Sequence, residues 1–136
     1  MADKSNSKSG LPIVESYFIE EEKNIVNRQC WKQFVKANDR LSKAAHKCGI
    51  PFDTKFNAVH WAFDVNALCR EIVYGYCWMK AYARYYQEEV TRNSQPAHVD
   101  FHVSYFADNC ITRINSCRDK LALMVWAYYC PFNPEK

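Results

Sequence analysis

The chain has 136 residues and a formal net charge of +3, and 15% of its residues are aromatic. This is the length of one ordinary domain, and only 3 Gly and 5 Pro argue against a loop-rich or all-β protein. No run of 18 apolar residues occurs, so we expect no membrane-spanning helix. The mild positive charge neither demands nor excludes nucleic acid as a partner.

The first ten residues, MADKSNSKSG, are polar and hold no apolar segment of the kind that directs secretion. We therefore expect a cytoplasmic protein. Residues 1–12 are expected to form a disordered lead-in, and residues 13–136 to form a single helical-bundle domain.

The chain holds seven cysteines, an odd number, and no two of them are spaced as CxxC. This pattern favours reduced thiols that pack as small apolar residues. His98 and His102 lie one helical turn apart, but they lack the further ligands that a metal site needs. We therefore predict no disulfide, no metal site and no cofactor. The cysteines are Cys30, Cys48, Cys69, Cys77, Cys110, Cys117 and Cys130.

Gly and Pro divide the chain into three long segments, each of which has the apolar periodicity of a helix. The first predicted helix runs over 13–47 and is closed by Gly49 and Pro51. The second runs over 54–92 and the third over 97–129. Because the connections are short, neighbouring helices should be antiparallel. The predicted fold is an all-α antiparallel bundle of three long helices.

The first predicted helix carries a basic stripe on the side opposite its apolar residues. Its members recur at spacings of three and four over about five turns. A solvated helix face and a track for a phosphate backbone both fit this pattern. The basic stripe consists of Arg28, Lys32, Lys36, Arg40, Lys43 and Lys47.

The second predicted helix has two apolar stripes, which is typical of a helix buried on more than one side. The third has a single stripe that includes Val103, Phe106, Cys110, Cys117 and Leu121. Arg113 occupies a position on that stripe, so we predict that it is largely buried. A buried charge without a partner is strongly unfavourable, so Arg113 needs a carboxylate or must line a groove.

Counting back from the short connections predicts which residues of the antiparallel helices lie opposite each other. Glu71 should face Arg118, and Arg70 should face Asp119. Cys30, Cys69 and Cys117 should lie near one level. We predict a polar layer across the bundle, with Glu71 within hydrogen-bonding distance of Arg113 or Arg118. Either the layer fixes the register of the helices, or it lines a functional groove. Its members are Arg28, Arg70, Glu71, Arg113, Arg118 and Asp119.

The stretch RINSCRDKLALMVW, beginning at Arg113, resembles a bacterial branch of the HEPN superfamily with an Arg–x–x–Ser–x–x–Asp–Lys–Leu helix. The resemblance is firmest over residues 105–130. It implies an all-helical bundle, often dimeric, of the kind found in RNA-cutting toxins, defence proteins and their inactive relatives. Such bundles usually continue beyond a third long helix. We therefore expect a fourth element that is short, missing or supplied by a partner.

The ribonucleases of this superfamily carry a His after the Arg, separated from it by four to six residues. At those places this chain has Arg118, Asp119 and Lys120, and no His follows His102. A group that transfers protons near neutral pH is therefore missing from the motif. Arg113 and Arg118 retain the capacity to bind phosphate.

These features predict a non-enzymatic interaction module, most simply a homodimer. Aromatic side chains crowd the ends of the second and third helices, and three helices cannot enclose them all. Two alternatives stay open: an RNA- or nucleotide-binding protein that uses Arg113, Arg118 and the basic stripe, and a HEPN-type ribonuclease. The crowded aromatics are Tyr82, Tyr85, Tyr86, Trp126, Tyr128 and Tyr129.

Overall fold

The structure, a computed structural model, describes residues 11–47, 58–92 and 99–129. They form four helices: α1 (Leu11–Val26), α2 (Gln29–Lys47), α3 (Ala58–Arg92) and α4 (Val99–Tyr129). No strand occurs in these ranges, so the all-α prediction is confirmed for them. None of the four helices combines the length and the apolarity that crossing a bilayer requires.

The single helix predicted over 13–47 is instead two helices, so this part of the prediction is wrong. The last turn of α1 tightens because the Arg28 N–H donates to the Ile25 carbonyl, at 3.0 Å. The Arg28 carbonyl then accepts the N–H of Lys32 at 3.1 Å, which begins α2. The break contains neither Gly nor Pro. Asn27, a residue type that helices accept just past their last turn, is the signal that the sequence offers.

The other predicted boundaries agree with the structure where it can be compared. The helices predicted over 54–92 and 97–129 correspond to α3 and α4, which end at Arg92 and Tyr129. The predicted first residues of these helices, 54 and 97, lie outside the described residues, as does the predicted closure of the first helix at Gly49 and Pro51. Pro12, assigned above to the lead-in, belongs to the first turn of α1, where a proline is tolerated because its missing N–H would have no helical partner.

The central helix of the fold is α3. It packs along α4 and against α1, and much less against α2. Lys120, in the second half of α4, binds Asp64 near the start of α3, whereas His102 near the start of α4 stacks on Tyr82. The two helices are therefore antiparallel, as predicted.

An aromatic layer joins α1, α3 and α4. Phe18 of α1 stacks on Trp78 of α3 with ring centroids 4.5 Å apart, and Trp78 stacks on Phe106 of α4 at 6.1 Å. Such pairs add about 0.5–1.5 kcal/mol each beyond the burial of their area. Tyr17, one residue before Phe18, hydrogen-bonds Glu88 near the end of α3, so α1 is also antiparallel to α3.

The enclosed core is small. Among the described residues only a few apolar side chains are buried, whereas large apolar side chains are exposed on all four helices. The exposed ones include Phe101, which is 71% exposed, and Ile111, which is 58% exposed. The described helices therefore leave many of their large apolar side chains exposed. The buried apolar residues are Val14, Trp61, Cys77, Ala81, Cys110 and Cys117.

At Gly75, α3 and α4 approach each other closely. A Cβ atom added there would lie 2.9 Å from the Cys110 sulfur and 3.9 Å from the Phe106 carbonyl. The Cys110 thiol also donates to the Ile72 carbonyl, at 3.6 Å. Glycine is therefore required here because the side chain of the neighbouring helix fills the place of its Cβ.

We expect Gly75→Ala to destabilise the protein by roughly 1–2 kcal/mol. The strain of fitting a methyl group against Cys110 exceeds the ~0.5–1 kcal/mol that Ala gains over Gly inside a helix. In a Cys110→Ala background the sulfur is gone, so the same substitution should be stabilising. Urea unfolding of the four proteins measures both effects. Equal destabilisation in the two backgrounds would show that this contact does not set the spacing of the helices.

Candidate functional site: the two flanks of the α3–α4 contact

Arg113 and Glu71 form an ion pair between α4 and α3. The Arg113 Nε lies 2.6 Å from Glu71 Oε2 in a salt bridge, and the Arg113 Nη1 donates to Asn109 Oδ1 at 3.3 Å. The prediction that Glu71 lies within hydrogen-bonding distance of Arg113 or Arg118 is therefore confirmed for Arg113. The pair lines a shallow cavity of about 170 Å³ whose walls include Tyr74 and Tyr105.

Arg113, which was predicted to be largely buried, is only partly buried. Its side chain is 34% exposed and that of Glu71 is 52% exposed. The reason is that Arg113 lies at the edge of the α3–α4 contact, whose centre is filled by Gly75 and Cys110. The guanidinium therefore pairs with the Glu71 carboxylate beside the α3–α4 contact and not in its centre.

The rest of the predicted polar layer does not assemble. Arg118 pairs with its neighbour Asp119 at 3.2 Å, and both are well exposed. Arg70 donates to Asn66 on its own helix at 3.5 Å, and Arg28 is exposed at the break before α2. The predicted register was displaced by about one helical turn, because the Gly75 contact sets Glu71 opposite Arg113 instead of Arg118.

A second ion pair lies between the same two helices and was missed by the sequence analysis. Lys120 Nζ contacts Asp64 Oδ2 at 2.8 Å, and His60 Nε2 lies 3.9 Å from the same carboxylate oxygen. This pair follows from the one between Arg113 and Glu71, because the helices are antiparallel and each partner is displaced by the same seven residues. The available signal was therefore a carboxylate two turns before Glu71 and a cation two turns after Arg113.

The predicted common level of Cys69 and Cys117 is confirmed, because their sulfurs are 4.0 Å apart across α3 and α4. Cys30 is exposed on α2, and the next residue, Trp31, lines a cavity together with Arg70 and Glu71. Burial raises the pKa of the Cys69 thiol to about 11, with a further contribution from Cys117. Burial likewise raises the pKa of Cys77 to about 11. The five described cysteines are all free thiols.

Five members of the basic stripe lie on the solvent side of α2, and the sixth, Arg28, lies in the break before it. Every member of the stripe is exposed, and Lys43 pairs with Asp39 on its own helix at 2.7 Å. The stripe and Arg113 therefore belong to different parts of the fold, because Arg113 lies in the α3–α4 contact.

Apolar residues that are not buried recur along both helices on the other flank of the α3–α4 contact. Ile111 and Ile114 lie about 160° and 100° around α4 from Arg113. They continue outward from Cys110, which touches α3 at Ile72. Each member recurs along its helix at spacings of three, four or seven, and none is buried. We call this surface the α3–α4 apolar face. It consists of Cys69, Ile72, Tyr76, Met79, Ala83, Tyr86 and Val90 from α3, and Val103, Ala107, Ile111, Ile114, Leu121 and Val125 from α4.

The aromatic side chains predicted to crowd the helix ends are only partly enclosed. Tyr82, Tyr85 and Tyr86 are half-buried, and Trp126 is 51% exposed. The side chains of Tyr128 and Tyr129 lie outside the described part of the structure.

A polar cluster ties α1 to the end of α3. The Tyr17 hydroxyl donates to Glu88, and Arg84 lies 4.1 Å above the Tyr17 ring while it pairs with Glu20 at 2.8 Å. The hydrogen bond raises the pKa of Tyr17 above 10.0 and lowers the pKa of Glu88 below 4.5. This cluster binds helices together, and both of its carboxylates already have protein partners.

Within the described residues no group of three or more His, Cys, Asp or Glu side chains is arranged to hold a metal ion. No protein-family model, curated protein or solved structure matches the chain. Functional inference therefore rests on the two flanks of the α3–α4 contact and on the α4 motif.

We expect Arg113→Ala to destabilise the protein by at most about 1 kcal/mol, because solvent already screens the pair it forms with Glu71. A fully buried pair would lose ~3–5 kcal/mol instead. A double-mutant cycle with Arg113→Met and Glu71→Leu, measured by urea unfolding at low and high salt, isolates the coupling. A coupling free energy above about 2 kcal/mol that does not change with salt concentration would mean that the pair is shielded from water.

Tyr17→Phe should destabilise the protein most between the ordinary pKa values of the two groups, 4.5 for Glu88 and 10.0 for Tyr17. The lowered pKa of Glu88 means that its contribution is lost as the pH falls through the folded-state value. The raised pKa of Tyr17 means that its contribution is lost as the pH rises through the folded-state value. Unfolding of both proteins across pH 3–11 tests this. A difference that does not change with pH would exclude the hydrogen bond as its cause.

Proposed function

We propose that this protein is a non-enzymatic, HEPN-like helical interaction module that self-associates through the α3–α4 apolar face. The observation that carries the proposal is the exposure of that face. Ile111, Leu121 and Val125 are 58%, 46% and 57% exposed. Burial of such surface contributes about 25 cal/mol per Å², so leaving it in water is unfavourable by several kcal/mol.

The size of the face suits a stable pair of chains. It extends about 30 Å along the helices, at 1.5 Å per residue, and about 20 Å across two helices packed ~8–10 Å apart. This is about 600 Å², close to the ~800 Å² that each partner buries in a standard-size interface.

The charge of the face also favours a second copy. Its α3 stripe contains no charged residue, and on the α4 side Arg118 is the single cation among the apolar positions. Arg118 is partnered by Asp119, so the face as a whole is close to neutral. A two-fold axis would place the face of one chain on the same face of another, which gives a four-helix arrangement of two α3–α4 pairs.

The state of Arg113 supports a structural role within this proposal. Its guanidinium already binds the Glu71 carboxylate and the Asn109 side chain. A phosphate ligand would have to displace Glu71 or share the guanidinium with it. No histidine lies between Arg113 and the end of α4, so the residues of this helix offer phosphate binding without a proton donor near neutral pH.

We expect Leu121→Glu combined with Ile114→Glu to yield a monomer. Both substitutions place a carboxylate in the apolar face, where burial of the charge in an interface is strongly unfavourable. Light scattering coupled to size exclusion, over a range of protein concentrations, measures the mass. Ile19→Glu is the matched control, because Ile19 is 49% exposed on α1, outside the face, and its substitution should leave the oligomer intact.

A wild-type protein that stays monomeric at high micromolar concentration would overturn the proposal. So would dissociation by Ile19→Glu alone with the double variant still associated. Circular dichroism of each variant establishes that its helices remain folded.

A second candidate function is RNA binding along the basic stripe, which its full exposure on α2 favours. Lys32, Lys36 and Arg40 would contact phosphates without reading bases. Their joint substitution by Glu should then abolish binding to a single-stranded RNA. Wild-type affinity should fall steeply with salt, because phosphate contacts release counterions. Unchanged RNA affinity in the triple variant would exclude the stripe.

A further inference from the structure

We infer that Cys69 and Cys117 form an oxidisable dithiol, which hydrogen peroxide converts into a disulfide between α3 and α4. Because self-association through the α3–α4 apolar face would cover Cys69, the reaction is assigned to the dissociated chain, and it is tested at a protein concentration at which the chain is monomeric. It starts from geometry, because the two sulfurs lie 4.0 Å apart on helices that pack against each other. Formation of a disulfide requires the sulfurs to approach to about 2.05 Å. Side-chain rotation within the seam supplies most of the remaining ~2 Å.

The pair is distinct from the other described cysteines. Cys110 directs its thiol to the Ile72 carbonyl and is wedged against Gly75. Cys77 is fully buried. Cys30 is exposed on α2, away from the α3–α4 contact. Cys69 and Cys117 therefore combine a near sulfur neighbour with a position that a small oxidant can approach.

Access to the pair is through Cys69. Its side chain is half-buried at the start of the α3 stripe of the apolar face, whereas Cys117 is only 9% exposed. Hydrogen peroxide is small and uncharged, so it can reach Cys69 where bulkier disulfide reagents would be hindered. The arrangement gives the two sulfurs different roles: Cys69 reacts with the oxidant, and Cys117 then reacts with the oxidised Cys69 to form the disulfide.

The chemistry is balanced with peroxide as the oxidant. The Cys69 thiolate attacks one peroxide oxygen, and the O–O bond breaks. The hydroxide that leaves takes up the proton that the thiol released and becomes water. Cys69 is now a sulfenic acid. The Cys117 sulfur, as its thiolate, attacks the Cys69 sulfur, and the S–O bond breaks to release a second hydroxide, which also becomes water. Two thiols and one peroxide thus give one disulfide and two waters.

The environment makes this reaction slow at neutral pH. With its pKa raised to about 11 by burial and by Cys117, the Cys69 thiol is ionised to only about one part in 10⁴ at pH 7, and the thiolate is the reactive form. The rate of oxidation should therefore rise about tenfold for each pH unit between 7 and 9. The pair responds to sustained oxidation rather than to brief pulses of peroxide.

Formation of the disulfide should fasten α3 to α4 beside the Arg113–Glu71 pair. It closes a loop across a sequence separation of 48 residues, and cross-links over loops of this length strongly restrict the unfolded chain. The oxidised protein should therefore unfold at a higher temperature than the reduced one, and reduction should reverse the shift.

Peptide mass spectrometry tests the inference on the wild-type chain. After treatment with hydrogen peroxide at pH 8 and digestion with trypsin, Cys69 lies in FNAVHWAFDVNALCR and Cys117 in INSCR, each with a single cysteine. The linked peptide should be the main intramolecular disulfide. It should form about tenfold faster at pH 9 than at pH 8.

Two variants separate this assignment from general thiol oxidation. Cys117→Ser should lose the linked peptide and accumulate further oxidised Cys69, whereas Cys30→Ser, the matched control, should form the link at the wild-type rate. A main disulfide that involves other cysteines would overturn the inference. So would accumulation of sulfinic acid at Cys69 in the wild type as fast as in Cys117→Ser.

Discussion

The close contact between Gly75 and Cys110 determines the register of α3 and α4, and most of the other cross-helix contacts follow from it. With the Cys110 sulfur occupying the place of a side chain at Gly75, Glu71 lies beside Arg113 and Asp64 beside Lys120. The same register places Cys69 against Cys117. A shift of one turn would separate all three pairs together, so a single steric fit between small residues specifies several polar contacts.

This contact also divides the pair of helices into two chemically different flanks. One flank carries the ion pairs and the shallow cavity between Tyr74 and Tyr105, with α1 nearby through the stacking of Phe18 on Trp78. The other flank is the apolar face, and within the described residues neither α1 nor α2 contacts α4. Because α1 packs on the flank that carries the ion pairs, it covers residues of that flank and leaves the apolar face uncovered. This asymmetry is the reason why the described helices enclose only a small core despite the aromatic content of the chain.

Helical class and the carboxyl-terminal ends of α3 and α4 could be predicted from the sequence, and so could a guanidinium partner for Glu71, with Arg113 and Arg118 as the two candidates. Periodicity and carboxylate–guanidinium chemistry are local or nearly local properties. The break at Asn27 could not be foreseen in the same way, because it contains no Gly or Pro and arises from one tightened turn. The Arg118–Glu71 alternative failed because register depends on which residues fit at the crossing. A lone glycine in a helix does not reveal its partner.

The exposure of Arg113 follows from the same reasoning and bears on what the motif in α4 does. An apolar-stripe position places a side chain near the neighbouring helix, but it does not place it at the centre of the contact. Arg113 lies at the edge, where its long side chain packs against α3 while its guanidinium keeps access to water. An ion pair in such a place adds little stability. It opposes alternative registers, however, because any other register leaves Arg113 and Glu71 without each other. The polar residues in the middle of α4 thus help to specify how α3 and α4 meet, and this specification keeps the apolar residues of both helices together on the opposite flank.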